Sequence, residues 1–121
     1  MYNVLVCDDE KDIVSALQIY LKSEGYQVFS AYNGKEALKI INREDIQLVL
    51  MDIMMPVMDG LEATREIRIM NRSDASAVVI IAMTANAFAE DIINSRLAGM
   101  NVHLAKPLDA EKMIVALKQC M

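Results

Sequence analysis

Short, wholly apolar runs alternate along this chain with longer stretches in which apolar residues recur at helical spacing. Val4 to Cys7, Leu48 to Met51 and Ala77 to Met83 carry no polar side chain, the pattern of strands covered on both faces. Tyr26 to Ala31 is short and β-prone, and a further short strand is expected from Val102 to Ala105. Between these runs, Ile13, Ala16, Leu17, Tyr20 and Leu21 form the stripe of an amphipathic helix over 13–21, with Asp12 as its expected N-cap and Gly25 as its stop. Asn33-Gly34 reads as a turn before a second helix marked by Ala37, Leu38, Ile40 and Ile41. After a loop from Pro56 to Gly60, residues Leu61, Thr64, Ile67 and Ile69 mark a third helix; a fourth runs from Phe88 to Ala98 and stops at Gly99, and the last spans Ala110 to Lys118 behind Asp109 as cap. Five strands alternating with five helices through short loops predict one parallel sheet with helices on both faces and right-handed crossovers, a doubly wound α/β domain.

The 121 residues suit one domain, residues 1–121, with no linker, repeat or low-complexity segment. Apolar residues make up 55%, yet no run approaches a membrane span and Met1-Tyr2-Asn3 is not a basic leader, so the expectation is a cytoplasmic protein without membrane contact. A net charge of −5 with no basic cluster argues against direct nucleic-acid binding. Cys7 and Cys120, with one His and no CxxC, have neither metal nor disulfide spacing, and read as a core thiol and a surface thiol. Of the ten methionines, Met51, Met83 and Met113 fall in core patterns, whereas Met54, Met55 and Met58 fall in a loop, where contact with a partner is the expectation.

The residues that end the strands change the picture most. Asp8 and Asp9 follow the first, Asp52 the third, Thr84 the fourth and Lys106 the fifth, and in an open parallel sheet such ends share one rim, where ligands bind. Three carboxylates there call for a hard cation, and Mg²⁺ on few carboxylates plus a phosphate oxygen is the usual solution. A nucleophilic Asp, carboxylates for a cation, a hydroxyl and an ammonium are together what phosphoryl transfer to a carboxylate requires. Singly each is weak: an acidic loop is usually solvated, Lys-Pro usually a turn, a strand-ending Thr usually structural.

In this order and spacing, with the run Met51-Asp52-Ile53-Met54-Met55-Pro56-Val57-Met58-Asp59-Gly60, the chain resembles the receiver domains of two-component response regulators over its whole length. The resemblance implies a flavodoxin-like, three-layer α/β/α fold with strand order 2-1-3-4-5. It also implies that Asp52 accepts a phosphoryl group from a phosphohistidine. Asp8, Asp9, Asp52 and the backbone carbonyl of Met54 would hold Mg²⁺, or Mn²⁺ in its place. Thr84 would bond a phosphoryl oxygen and shift on phosphorylation, Lys106 would pair with the phosphate, and Pro107 would follow a cis peptide. Pro56 and Gly60 would shape the loop, Gly60 by permitting positive φ. Partners so implied are a sensor histidine kinase or histidine phosphotransfer protein, an output domain or downstream protein on the face of the fourth helix, fifth strand and fifth helix, and a phosphorylation-dependent homodimer.

Two departures qualify the resemblance. His103 stands where the family often has a switching Tyr or Phe; an imidazole can also change rotamer, and the alternative is an exposed His with no such role. Met54 and Asn86 occupy positions that in the family modulate phosphoryl lifetime, and neither can activate water, which points to a slow reset. The rival enzyme class, haloacid-dehalogenase-type phosphatases, needs a second Asp two positions after the nucleophile, where this chain has Met54. A nucleotide-binding module would need a glycine-rich phosphate loop after the first strand, and none is present. A vestigial interaction domain that never takes up phosphate is the remaining alternative, disfavoured by the complete set of five.

Overall fold

The apolar runs become strands because β-branched and aliphatic side chains can be buried on both faces of a parallel sheet at once. The computed structural model describes residues 2–70, 77–84, 96, 98–106 and 108–120. Along them lie β1 (Asn3–Cys7), α1 (Lys11–Ser23), β2 (Gln27–Ala31), α2 (Gly34–Arg43), β3 (Leu48–Asp52), α3 (Gly60–Arg68), β4 (Val79–Thr84), β5 (Val102–Ala105) and α4 (Ala110–Gln119). Most of the helix predicted over 88–98, together with Asn86 and Pro107, lies outside the described residues. All strand pairs are parallel and the order is β2-β1-β3-β4-β5, the order that the resemblance implies.

The period of two along each central strand sorts the core into two layers. Leu5, Cys7, Val49, Met51, Ile80 and Ala82 pack with Ala37 and Ile41 of α2 and Ala63 and Ile67 of α3. Val4, Val6, Leu48, Leu50, Ile81 and Met83 pack on the other side with Val14, Leu17 and Leu21 of α1 and Met113, Ala116 and Leu117 of α4. Chain direction reverses its lateral progress between β1 and β3, so the crevice of the switch point opens at the C-terminal tips of those two strands.

Three local expectations need correction. The N-cap of α1 is Glu10, not Asp12: the Glu10 amide donates to Asp8 Oδ1 at 3.0 Å, so the chain turns earlier and Asp12 falls in the first helical turn, where its charge suits the helix dipole. Asn33-Gly34 is a helix start and not a separate turn. Asn33 caps α2 by accepting from the Glu36 amide at 3.0 Å, while Glu36 Oε1 accepts from the Tyr32 amide at 3.1 Å, a reciprocal arrangement akin to a capping box. Ile69, assigned by periodicity to the stripe of α3, is instead its C-cap and lies exposed.

At the end of the sheet away from those tips, Arg68 joins three segments. Its Nε and Nη2 donate to the Gly99 carbonyl at 3.0 and 2.8 Å, Nη1 to the Val78 carbonyl at 2.6 Å and Nη2 also to Asn101 Oδ1 at 2.8 Å. Asn101 in turn accepts from the Ile80 amide through Oδ1 and donates its own amide to the Ile80 carbonyl, each at 2.8 Å. Burial pushes the guanidinium pKa down from its ordinary value, which places this charge among the chain's costlier ones to strand without partners.

Candidate functional site

Parallel pairing brings the strand ends together. Cys7 is in register with Met51, Asp52 with Met83 and Thr84 with Ala105, so Asp8, Asp9, Asp52, Thr84 and Lys106 gather at one end of the sheet. Asp8 is wholly buried, Asp52 is 5% exposed, Thr84 is buried and Asp9 faces solvent. Carboxylate oxygens of Asp8, Asp9 and Asp52 lie within 4.8 Å of one another. The Lys106 ammonium stands 2.8 Å from Asp8 Oδ2 and 3.3 Å from Asp52 Oδ1. The Lys106 amide donates to the Thr84 carbonyl at 2.7 Å, which fixes the base of the lysine against β4.

One ammonium among three carboxylates leaves the cluster negative. Asp52 is raised to about 6, first by burial and then by the Asp8 charge, with Lys106 pulling the other way and Asp9 adding to the rise. Lys106 is lowered by burial, but its bond to Asp8 and the charges of Asp52 and Asp8 outweigh this and raise it overall. Asp8 Oδ2 is paired with the Lys106 ammonium at 2.8 Å and accepts from no other group among the described residues. A buried carboxylate oxygen left in this state, beside two further carboxylates, fits a hard divalent cation held through oxygen.

A carboxyl that keeps its proton more readily folded than unfolded costs stability once it ionises. For Asp52 that cost is absent below the ordinary value of 3.8, grows as pH rises and is complete above about 6. In chelator, the melting temperature of the wild type relative to Asp52→Asn should therefore fall across this window. A difference that stays flat with pH would show that burial does not shift this carboxyl.

The connection from β3 to α3 carries unusual backbone. Val57 has φ 70° and the Met58 amide donates to the Pro56 carbonyl at 2.8 Å, the mark of a tight γ-turn that a β-branched residue enters only under strain. Gly60, expected to supply positive φ, does not have it; it is required because a Cβ there would collide with the Asp52 carbonyl oxygen. The three loop methionines do not behave alike. Met54 is 77% exposed as a partner contact would require, but Met55 is buried and Met58 packs against the core. Burial, followed by the charge of Asp8, raises the pKa of the Cys7 thiol, so it remains a neutral core group. His103, on β5 opposite Ala82, is half-buried, contrary to the reading of an exposed imidazole, and burial followed by the Arg96 charge lowers its pKa. Sequence reasoning missed Gly34, whose amide reaches this loop at Met58; its only signal was a dipeptide that also makes ordinary turns.

Comparison with known proteins agrees with this geometry. Residues 4–118 match the family model described as response regulator receiver domain. The receiver domain of the sensor histidine kinase PA1611 from Pseudomonas aeruginosa PAO1, solved with a magnesium ion coordinated in its active-site cleft, is 36% identical with a TM-score of 0.88, over 98% of this chain and 95% of that one. The Vibrio cholerae chemotaxis protein CheY4 superposes with a TM-score of 0.94 at 27% identity, over 100% of this chain and 99% of that one. The receiver domain of the Francisella response regulator 1452 gives 0.88 at 27% identity, over 99% and 96%.

Proposed function

Since the chain belongs to the response regulator receiver domain family of two-component signalling, we propose that residues 1–121 form one receiver domain in which Asp52 is the phosphoacceptor. The observation that carries this reading is the Lys106 ammonium held between Asp8 and Asp52, at 2.8 and 3.3 Å, at the rim where three carboxylates meet. An Asp52 oxygen attacks the phosphorus of a phosphohistidine, the P–N bond breaks, and the imidazole departs with the bonding pair. The product is an acyl phosphate on Asp52. Lys106 moves from pairing a carboxylate to pairing a phosphoryl oxygen, and the Thr84 hydroxyl bonds another. Asp8, Asp9, Asp52 and the Met54 carbonyl would hold Mg²⁺, or Mn²⁺, which when bound neutralises the cluster and draws the phosphoryl oxygens towards it. The chain thus assists its own modification and, slowly, its reversal.

The phosphodonor is a sensor histidine kinase or a histidine phosphotransfer protein. Thr84 and His103 form the switch, and the output partner docks on the face that includes β5 and α4, where phosphorylation also promotes pairing of two copies. Intact-mass measurement after incubation with acetyl phosphate tests the core of this reading. The wild type should gain one phosphoryl mass with Mg²⁺ and none in chelator. No gain with Mg²⁺ would favour a phosphate-independent interaction domain.

A further inference from the structure

The loop between Asp52 and Gly60 is tied to β4 at its start and closed on itself at its end. The Ile53 amide donates to the Met83 carbonyl at 3.2 Å and the Gly60 amide to the Ile53 carbonyl at 2.9 Å. Its outer side is anchored by α2, which contributes no side chain to the carboxylate cluster. The Gly34 amide, one of the first-turn donors that a helix cannot satisfy internally, donates to the Met58 carbonyl at 2.9 Å. Beneath it the Met55 sulfur lies 3.5 Å from Cys7 Sγ, which is 3.4 Å from the Asn33 carbonyl. The approach is so close that a Cβ on Gly34 would stand 2.6 Å from the Met58 carbonyl oxygen and 2.7 Å from Met58 Cγ.

We infer that Gly34 is a positioning residue for the metal site: the N-terminus of α2, through its bond to the Met58 carbonyl, sets the path of residues 54–58 and hence the place of the Met54 carbonyl beside Asp52. This rests on the reading that Asp8, Asp9, Asp52 and the Met54 carbonyl hold Mg²⁺. The loop cannot relax into the contact, because it is pinned at 53 and 60 and already carries the γ-turn at Val57. Anything that separates Gly34 from Met58 is therefore passed along the loop to the carbonyl two residues past Asp52. By linkage the effect runs both ways, and filling the metal site tightens the Gly34 contact.

The test is Gly34→Ala. Alanine is the better helix residue, so α2 is retained, while its Cβ must displace Met58. Calorimetric titration with Mg²⁺ alone should show the dissociation constant weakened by about tenfold, the size expected when the support of a ligand is disturbed. The melting temperature in chelator should also fall, because the Met58 backbone must move, so affinity is compared at a temperature where both proteins are fully folded. Equal Mg²⁺ affinity in variant and wild type overturns the inference. Hydrogen exchange of the Gly34 amide in the wild type does not depend on the variant folding; it should slow when Mg²⁺ is added, and an unchanged rate also overturns the inference. A wild type that binds no Mg²⁺ overturns the metal reading itself, an outcome distinct from both.

Discussion

Asp52→Asn should abolish phosphoryl uptake and, in the metal-free protein near neutral pH, should also raise the melting temperature. The first effect follows from nucleophilicity: an amide oxygen does not form the acyl phosphate, so no mass is gained from acetyl phosphate under conditions that label the wild type. The second follows from the pocket. Asp52 is buried beside Asp8, and its pKa rise to about 6 means that its ionised form is held at a cost. Asparagine has nearly the same shape without the charge, and Lys106 keeps Asp8 at 2.8 Å. Removing the cost should stabilise the metal-free fold by about 1 kcal/mol or more, a rise of roughly 4 °C for a domain of this size. The paired readout separates two errors. A variant that still gains phosphoryl mass places the acceptor elsewhere, and one that melts below the wild type in chelator refutes the electrostatic account while leaving the chemical one intact.

Arg68→Ala should be among the most destabilising single changes, costing about 3 kcal/mol and about 10 °C in melting temperature. Among the described residues its side chain makes four donor contacts, to the carbonyls of Gly99 and Val78 and to Asn101 Oδ1. Truncation takes this donor from the Gly99 and Val78 carbonyls, leaves Asn101 Oδ1 with the Ile80 amide alone, and loosens the segment before β5 from α3. Arg68→Lys should recover little, because one ammonium cannot span three acceptors that a planar fork reaches together. Urea unfolding midpoints of the three proteins provide the check, and an alanine variant that unfolds with the wild type would refute the role. The site lies at the other end of the sheet, so Mg²⁺ binding by the still-folded fraction should be unchanged.

The central strands were legible because burial on both faces leaves a continuous apolar run, and Leu48 to Met51 became β3 with one residue added, Asp52 itself. The site was legible for a related reason: in a parallel sheet, order along the chain and position after a strand are enough to bring Asp8, Asp52, Thr84 and Lys106 to one rim. Contacts set by loop packing were not. Met55 and Met54 are neighbours of the same type, and only the distance to Cys7 puts the first inside and leaves the second in solvent. Glycine misled in the same way. Gly60 is required for a close approach to the Asp52 carbonyl, while the left-handed position went to Val57, a residue that propensity would never nominate. Arg68 resembled any charged residue ending a helix, since nothing local encodes acceptors from residues 78, 99 and 101.

The sheet that divides the core also sorts the described helices into two pairs. β1 and β3 give alternate residues to two apolar layers with no residue in common, one under α2 and α3 and one under α1 and α4. The carboxylates sit at the tips of these two strands, above the boundary. A substitution confined to one layer therefore leaves the residues of the other in place, while a change of charge at Asp8 or Asp52 falls where the two layers meet.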